Sequence, residues 1–148
     1  MAELSWAHQA GARRREMLDR DAKHDREAAR RLAGAMFDRL IGQLWNRLGN
    51  SFRETVEAYN TGGRFADVSC TIGHDVVLIE RRHGPAFSIE LQLDRKAREL
   101  LMCVRDGDAP AEPAPLDVVF VDDELLLWHD GQTENGYQLA ARLLKPRL

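Results

Sequence analysis

The chain has only two cysteines, Cys70 and Cys103, in 148 residues. They form no Cys-x-x-Cys pair, which argues against a disulfide-stapled scaffold or a zinc ribbon and fits a reducing compartment. No apolar run approaches the ~18 residues that span a bilayer. The opening residues, Met1-Ala2-Glu3-Leu4-Ser5-Trp6, lack the basic start and apolar stretch of a signal peptide. Together these absences predict a cytoplasmic protein with no membrane association. Proline is also scarce. Three of the five prolines, Pro110, Pro113 and Pro115, crowd into residues 106–115, which therefore read as a loop.

Basic residues are absent from one long stretch. From Asp106 to Ala141 there is no Lys or Arg, while Asp106, Asp108, Glu112, Asp117, Asp122, Asp123, Glu124, Asp130 and Glu134 are all acidic. The chain's net charge is −3, so nine negative charges there leave +6 for the rest. An acidic pole of this kind repels phosphate backbones and raises solubility.

What is present is a globular composition, 44% hydrophobic and 30% charged, on a chain of single-domain length. A chain this long buries roughly 68–70% of its unfolded surface, enough for a core without staples. Between Ala33 and Tyr59, Phe37, Leu40, Ile41, Leu44, Leu48, Phe52 and Tyr59 recur at three- and four-residue steps. That spacing predicts an amphipathic helix with one apolar stripe. Asn60-Thr61-Gly62-Gly63 supplies its stop signal. Gly49-Asn50-Ser51 is a possible break, since Ser51 and Glu54 have the spacing of a capping box. Upstream, helical propensity continues through Arg13 to Arg31, and the N-terminal arm has few large apolar residues: Leu4, Trp6, Met17 and Leu18. Residues 1–24 are expected to form a charged helical or partly disordered arm, and residues 25–148 a single domain.

After Gly63 the hydrophobic period changes to two. Residues 65–72, 76–81, 87–93, 98–105, 116–121 and 124–129 read as strands. Phe87, Ile89, Leu91 and Leu93 alternate most cleanly with polar residues. Thr133 is expected to cap a last helix ending near Leu144, before Pro146. Most connections are short, which forces antiparallel neighbours and a meander. The expected fold is α+β: a long N-terminal amphipathic helix packed on a roughly six-stranded antiparallel sheet, with a short C-terminal helix. In size and element order this resembles small bacterial secretion chaperones, acidic α+β dimers that hold an unfolded client segment. It departs from them in lacking a helix within the strand series.

No constellation specifies a reaction. His74, His83 and His129 lack the spacing of metal ligands, and no metal or other cofactor is expected. Asp75 followed by Glu90-Leu91-Gln92 approaches the carboxylate pattern of metal-dependent nucleases, but Gln92 stands where the assisting lysine belongs. Gly-x-Ser-x-Gly and phosphate-loop patterns are missing. Arg13, Arg14 and Arg15, with Arg20, Lys23, Arg26, Arg30 and Arg31, are interleaved with five acids. That pattern suits a solvated helix better than a nucleic-acid stripe. Gly34, Gly42 and Gly49 share one sector beside the apolar stripe, where each costs about 1 kcal/mol relative to alanine. Close approach of another backbone would offset that cost.

The leading expectation is a non-enzymatic protein–protein interaction module, a homodimer or assembly subunit. Its candidate contact residues are Trp6, Arg13, Arg14, Arg15, Gly34, Gly42 and Gly49. The alternatives are a small-ligand binder or enzyme with a site between sheet and helix, lined by Ser69, Thr71, Ser88, Glu90 or Gln92, and a nuclease-like protein.

Overall fold

The three-and-four spacing that begins at Phe37 is realised as helix. In the computed structural model, which describes residues 4–148, helix α1 spans Ser5–Gly63 without interruption. The capping box expected at Ser51 does not form, which corrects the possible break there. The Ser51 hydroxyl instead donates to the carbonyl of Arg47 at 2.8 Å, one turn back, so the ladder runs through. The stop lies where Asn60–Gly63 predicts it. Arg64 takes the left-handed conformation at φ 61°. Its N–H donates to Thr61 O, and the N–H of Phe65 donates to Asn60 O. This is the Schellman arrangement, with an arginine where glycine is usual. The Asn60 side chain then fixes the exit. Its Oδ1 accepts from the N–H groups of Asp67 and Val68, and its Nδ2 donates to Val68 O at 2.8 Å.

Seven strands follow: β1 (Ser69–Ile72), β2 (Val76–Arg81), β3 (Phe87–Asp94), β4 (Glu99–Asp106), β5 (Ala114–Val121), β6 (Glu124–His129) and β7 (Gln132–Glu134), then helix α2 (Gly136–Leu144). They form one antiparallel meander in chain order. The sheet has seven strands where six were expected. The extra one is β7, closed by a tight turn in which Asp130 and Gly131 have φ 48° and 77°. The helix expected from Thr133 therefore starts later. Asn135 caps it reciprocally with Gln138, each side chain serving the other residue's backbone N–H.

One sheet face carries the apolar half of each alternation. Val77, Ile79, Ile89, Leu91, Leu100, Leu125 and Leu127 are buried on it. Against it lie Phe37, Ile41, Leu44, Leu48, Phe52 and Val56 of α1, and Leu139, Leu143 and Leu144 of α2. The two helices meet closely at one point. A Cβ placed on Gly136 would lie 2.8 Å from the Ser51 Cβ, so only glycine fits the first position of α2. Asp38 accepts two hydrogen bonds of 3.0 Å from Arg98, which fixes this part of α1 to the β3–β4 turn. The described residues divide into two units, one ending at Met36 and the other spanning Phe37–Leu148. No described helix is long and apolar enough to cross a membrane.

Candidate functional site

In the unit that ends at Met36, every residue from Leu4 to Ala33 is exposed. This half of α1 consists largely of alanine, arginine and acids, strong or adequate helix formers. Pairs such as Glu16–Arg20, Asp19–Lys23 and Glu27–Arg31 place an acid one turn ahead of a base, the favourable order. What this half does not do is hide its large apolar residues. Leu4 is 63% exposed, Trp6 70%, Met17 51%, Leu18 50% and Leu32 63%. Arg13, Arg14 and Arg15 are exposed with them.

The three glycines singled out in the sequence have different surroundings. Gly34 is buried and belongs to the first unit. Gly42 and Gly49 belong to the second. A Cβ on Gly42 would meet nothing within 4 Å, whereas one on Gly49 would touch the Ile72 side chain at 3.4 Å. The glycine that permits close helix approach is Gly136, which sequence reasoning missed. Its signal was its place after Asn135, the cap residue.

Within the second unit, the densest polar cluster surrounds Arg81. Strand parity puts Arg81 on the same face as Val77 and Ile79, so its guanidinium enters the packed side of the sheet. Only 8% of that side chain is exposed. Its Nε donates to Asp67 Oδ2 at 2.9 Å, Nη1 to Arg147 O at 3.0 Å and Nη2 to the Tyr59 hydroxyl at 2.6 Å. Tyr59 in turn donates to Asp67 Oδ2 at 2.8 Å. The guanidinium also stands within 6 Å of the Tyr59 and Phe87 ring centroids. The Tyr59 hydroxyl, followed by the Arg81 guanidinium, holds the Asp67 carboxyl below the usual carboxylate range. Arg147 closes the outer side with a two-pronged pair to Asp106.

This cluster ties the end of α1, the loop before β1, the end of β2 and the C-terminal segment into one clasp. Its charged groups all have partners, and no buried side-chain N or O among the described residues lacks one. Such saturation suits a structural joint. A depression of ≈ 520 Å³ beside it is lined by Pro85, Ala86, Phe87, Asp106, Gly107, Pro146, Arg147 and Leu148. Its charged members, Asp106 and Arg147, are already paired with each other.

The other sheet face bears the polar alternation. Ser69 and Thr71 are exposed, and Gln92 Nε2 donates to Glu90 Oε1 at 2.6 Å. The space between the opposite face and the helices is filled by side chains such as Phe52, Leu48 and Ile89, all fully buried. Asp75 pairs with Arg95 at 3.1 Å. Among the described residues, no group of three or more His, Cys, Asp or Glu side chains is placed to hold a metal ion. Cys103 is buried beneath the Pro-rich loop, its thiol donating to Ala111 O, while burial raises the thiol of Cys70 above its ordinary value. No protein family, no curated protein and no solved structure matches this chain.

Proposed function

We propose that this protein is a non-enzymatic interaction module whose contact surface is the N-terminal half of α1. The observation that supports this reading is the exposure of that half: the thirty residues from Leu4 to Ala33 are all exposed, and Leu4, Trp6, Met17, Leu18 and Leu32 are at least half in water. Most helical stability in proteins comes from packing one face, and this half of α1 packs none of its large apolar residues. A helix of this length with apolar residues on offer is completed by another chain. Trp6 and the run Arg13–Arg15 bring the residue types most enriched where binding energy concentrates. The cytoplasm is its proposed location, supported by two unpaired cysteines.

The test compares the wild-type chain with a variant carrying Leu4→Gln, Leu18→Gln and Leu32→Gln. Both are used as bait in host lysate, and both are sized alone by sedimentation equilibrium. We expect the wild type to carry a stoichiometric protein, or a second copy of itself, that the variant loses while its unfolding temperature is unchanged. Identical behaviour of the two chains would refute the reading.

A further inference from the structure

We infer that the contact is a second copy of this chain, with the two N-terminal helices paired antiparallel about a two-fold axis near Arg20. The inference rests on the interaction-module reading and names its partner. Leu4, Leu18 and Leu32 are spaced by fourteen residues, two heptads each. With Gly11 and Asp25 they form one heptad position, and residues four further on form the next: His8, Arg15, Ala22, Ala29 and Met36. These two positions make the seam that a partner helix of a coiled coil would cover. All of them but Met36, which is half-buried, are exposed.

In an antiparallel pair each position of one kind meets the other kind on the second helix. Setting Leu18 against Ala22 fixes the whole register. Gly11 then faces Ala29, Leu4 faces Met36, and Leu32 faces His8. The two charged residues of the seam, Arg15 and Asp25, face each other, twice in the dimer. A parallel pair would instead set Arg15 on Arg15 and Asp25 on Asp25, two like-charge layers that disfavour it. Within the seam, charge complementarity therefore favours a second antiparallel copy. Beside the axis Asp19 and Asp21 each approach their own copies, but those pairs stay in water and weigh less than the seam layers. Size follows the same logic, since each leucine meets a smaller or more flexible partner. Gly11, whose absent Cβ would touch nothing within this chain, meets alanine and lets the helices approach. Trp6 and Met17 fall on the opposite side of the helix and stay outside this pairing.

The experiment measures self-association of the purified full chain by sedimentation equilibrium. Arg15→Asp and Asp25→Arg should each weaken the dimer about tenfold, since each turns two attractive layers repulsive. The double variant, Arg15→Asp with Asp25→Arg, should return to wild-type affinity, because the facing charges are again opposite. A parallel dimer gives neither the loss nor the rescue, since Arg15→Asp merely exchanges one like pair for another. A dimer indifferent to all three variants overturns the proposal, as does a wild-type chain that stays monomeric. A monomer that still captures a lysate protein through the three leucines would overturn the self-pairing alone and leave the broader reading standing. A monomer that captures nothing would remove both.

Discussion

The two halves of α1 obey the same helical rules and end in opposite states. Between Phe37 and Val56 the large apolar residues are at most 6% exposed except Leu40, which is half-buried, and from Leu4 to Leu32 they are at least 50% exposed. The difference lies in density. In the second half Phe37, Ile41, Leu44, Trp45, Leu48, Phe52 and Val56 follow at every three- or four-residue step and make a continuous stripe that a sheet face can cover. In the first half the large apolar residues of the seam recur only every fourteen residues. Periodicity makes a helix, but the density of apolar residues decides whether the chain's own core covers it. A sparse stripe with charges built into it suits a partner that can answer those charges.

Substitutions in the dense half should have the largest effects. Phe52→Ala opens a hole at a side chain with no exposed surface and should cost about 3–5 kcal/mol in urea unfolding. Next comes the contact of the two helices. Gly136→Ala drives a Cβ to 2.8 Å from that of Ser51, and should cost about 1–3 kcal/mol by the same assay.

A smaller effect concerns pH. The Asp67 carboxyl is lowered in the folded chain, first by the Tyr59 hydroxyl and then by Arg81. A depressed carboxylate contributes stability above its unfolded value, and that stability is lost as pH falls through the folded value. Tyr59→Phe removes the first cause, so the midpoint of acid unfolding, followed by circular dichroism, should move to higher pH. A midpoint unmoved or lowered would mean the clasp does not hold the fold together in acid.

The turn between β5 and β6 should respond in the opposite direction. Asp122 and Asp123 sit at φ 48° and 61°, a turn in which glycine is favoured second. Asp123→Gly is expected to raise stability by up to about 1 kcal/mol, read as a higher melting temperature. The smallest effect belongs to the sparse half. Leu18→Gln should change the unfolding free energy of residues 37–148 by no more than about 0.5 kcal/mol, since its side chain is half in water.

Much of this fold was legible because its signals are local. β2 and β6 lie where alternation puts them, and the Schellman stop follows from Asn60–Gly63. β7 was missed although Asp130-Gly131 is a strong two-residue hairpin signal, because Thr133 offered a competing helix cap. Ser51 was ambiguous for a similar reason: cap spacing cannot tell whether the hydroxyl will turn outward to cap or back to Arg47, and in the fold it is buried beside Gly136 and turns back. The Arg81 clasp was half legible. Parity places Arg81 inward, but its partners come from segments 14, 22 and 66 residues away, which no local pattern reports. The exposed half of α1 was visible as a charged helix. The register proposed for its pairing also needed the exposure of residues 4–33, which no local sequence pattern reports.

Hydrogen exchange across a dilution series tests most directly the claim that the sparse half is an interface. Amides of residues 8–33 should be protected at high concentration, lose protection on dilution, and never gain it in the variant carrying Leu4→Gln, Leu18→Gln and Leu32→Gln. Amides of β2 to β4 should be unaffected throughout. Exchange of residues 8–33 that is independent of concentration and identical in the variant would contradict it.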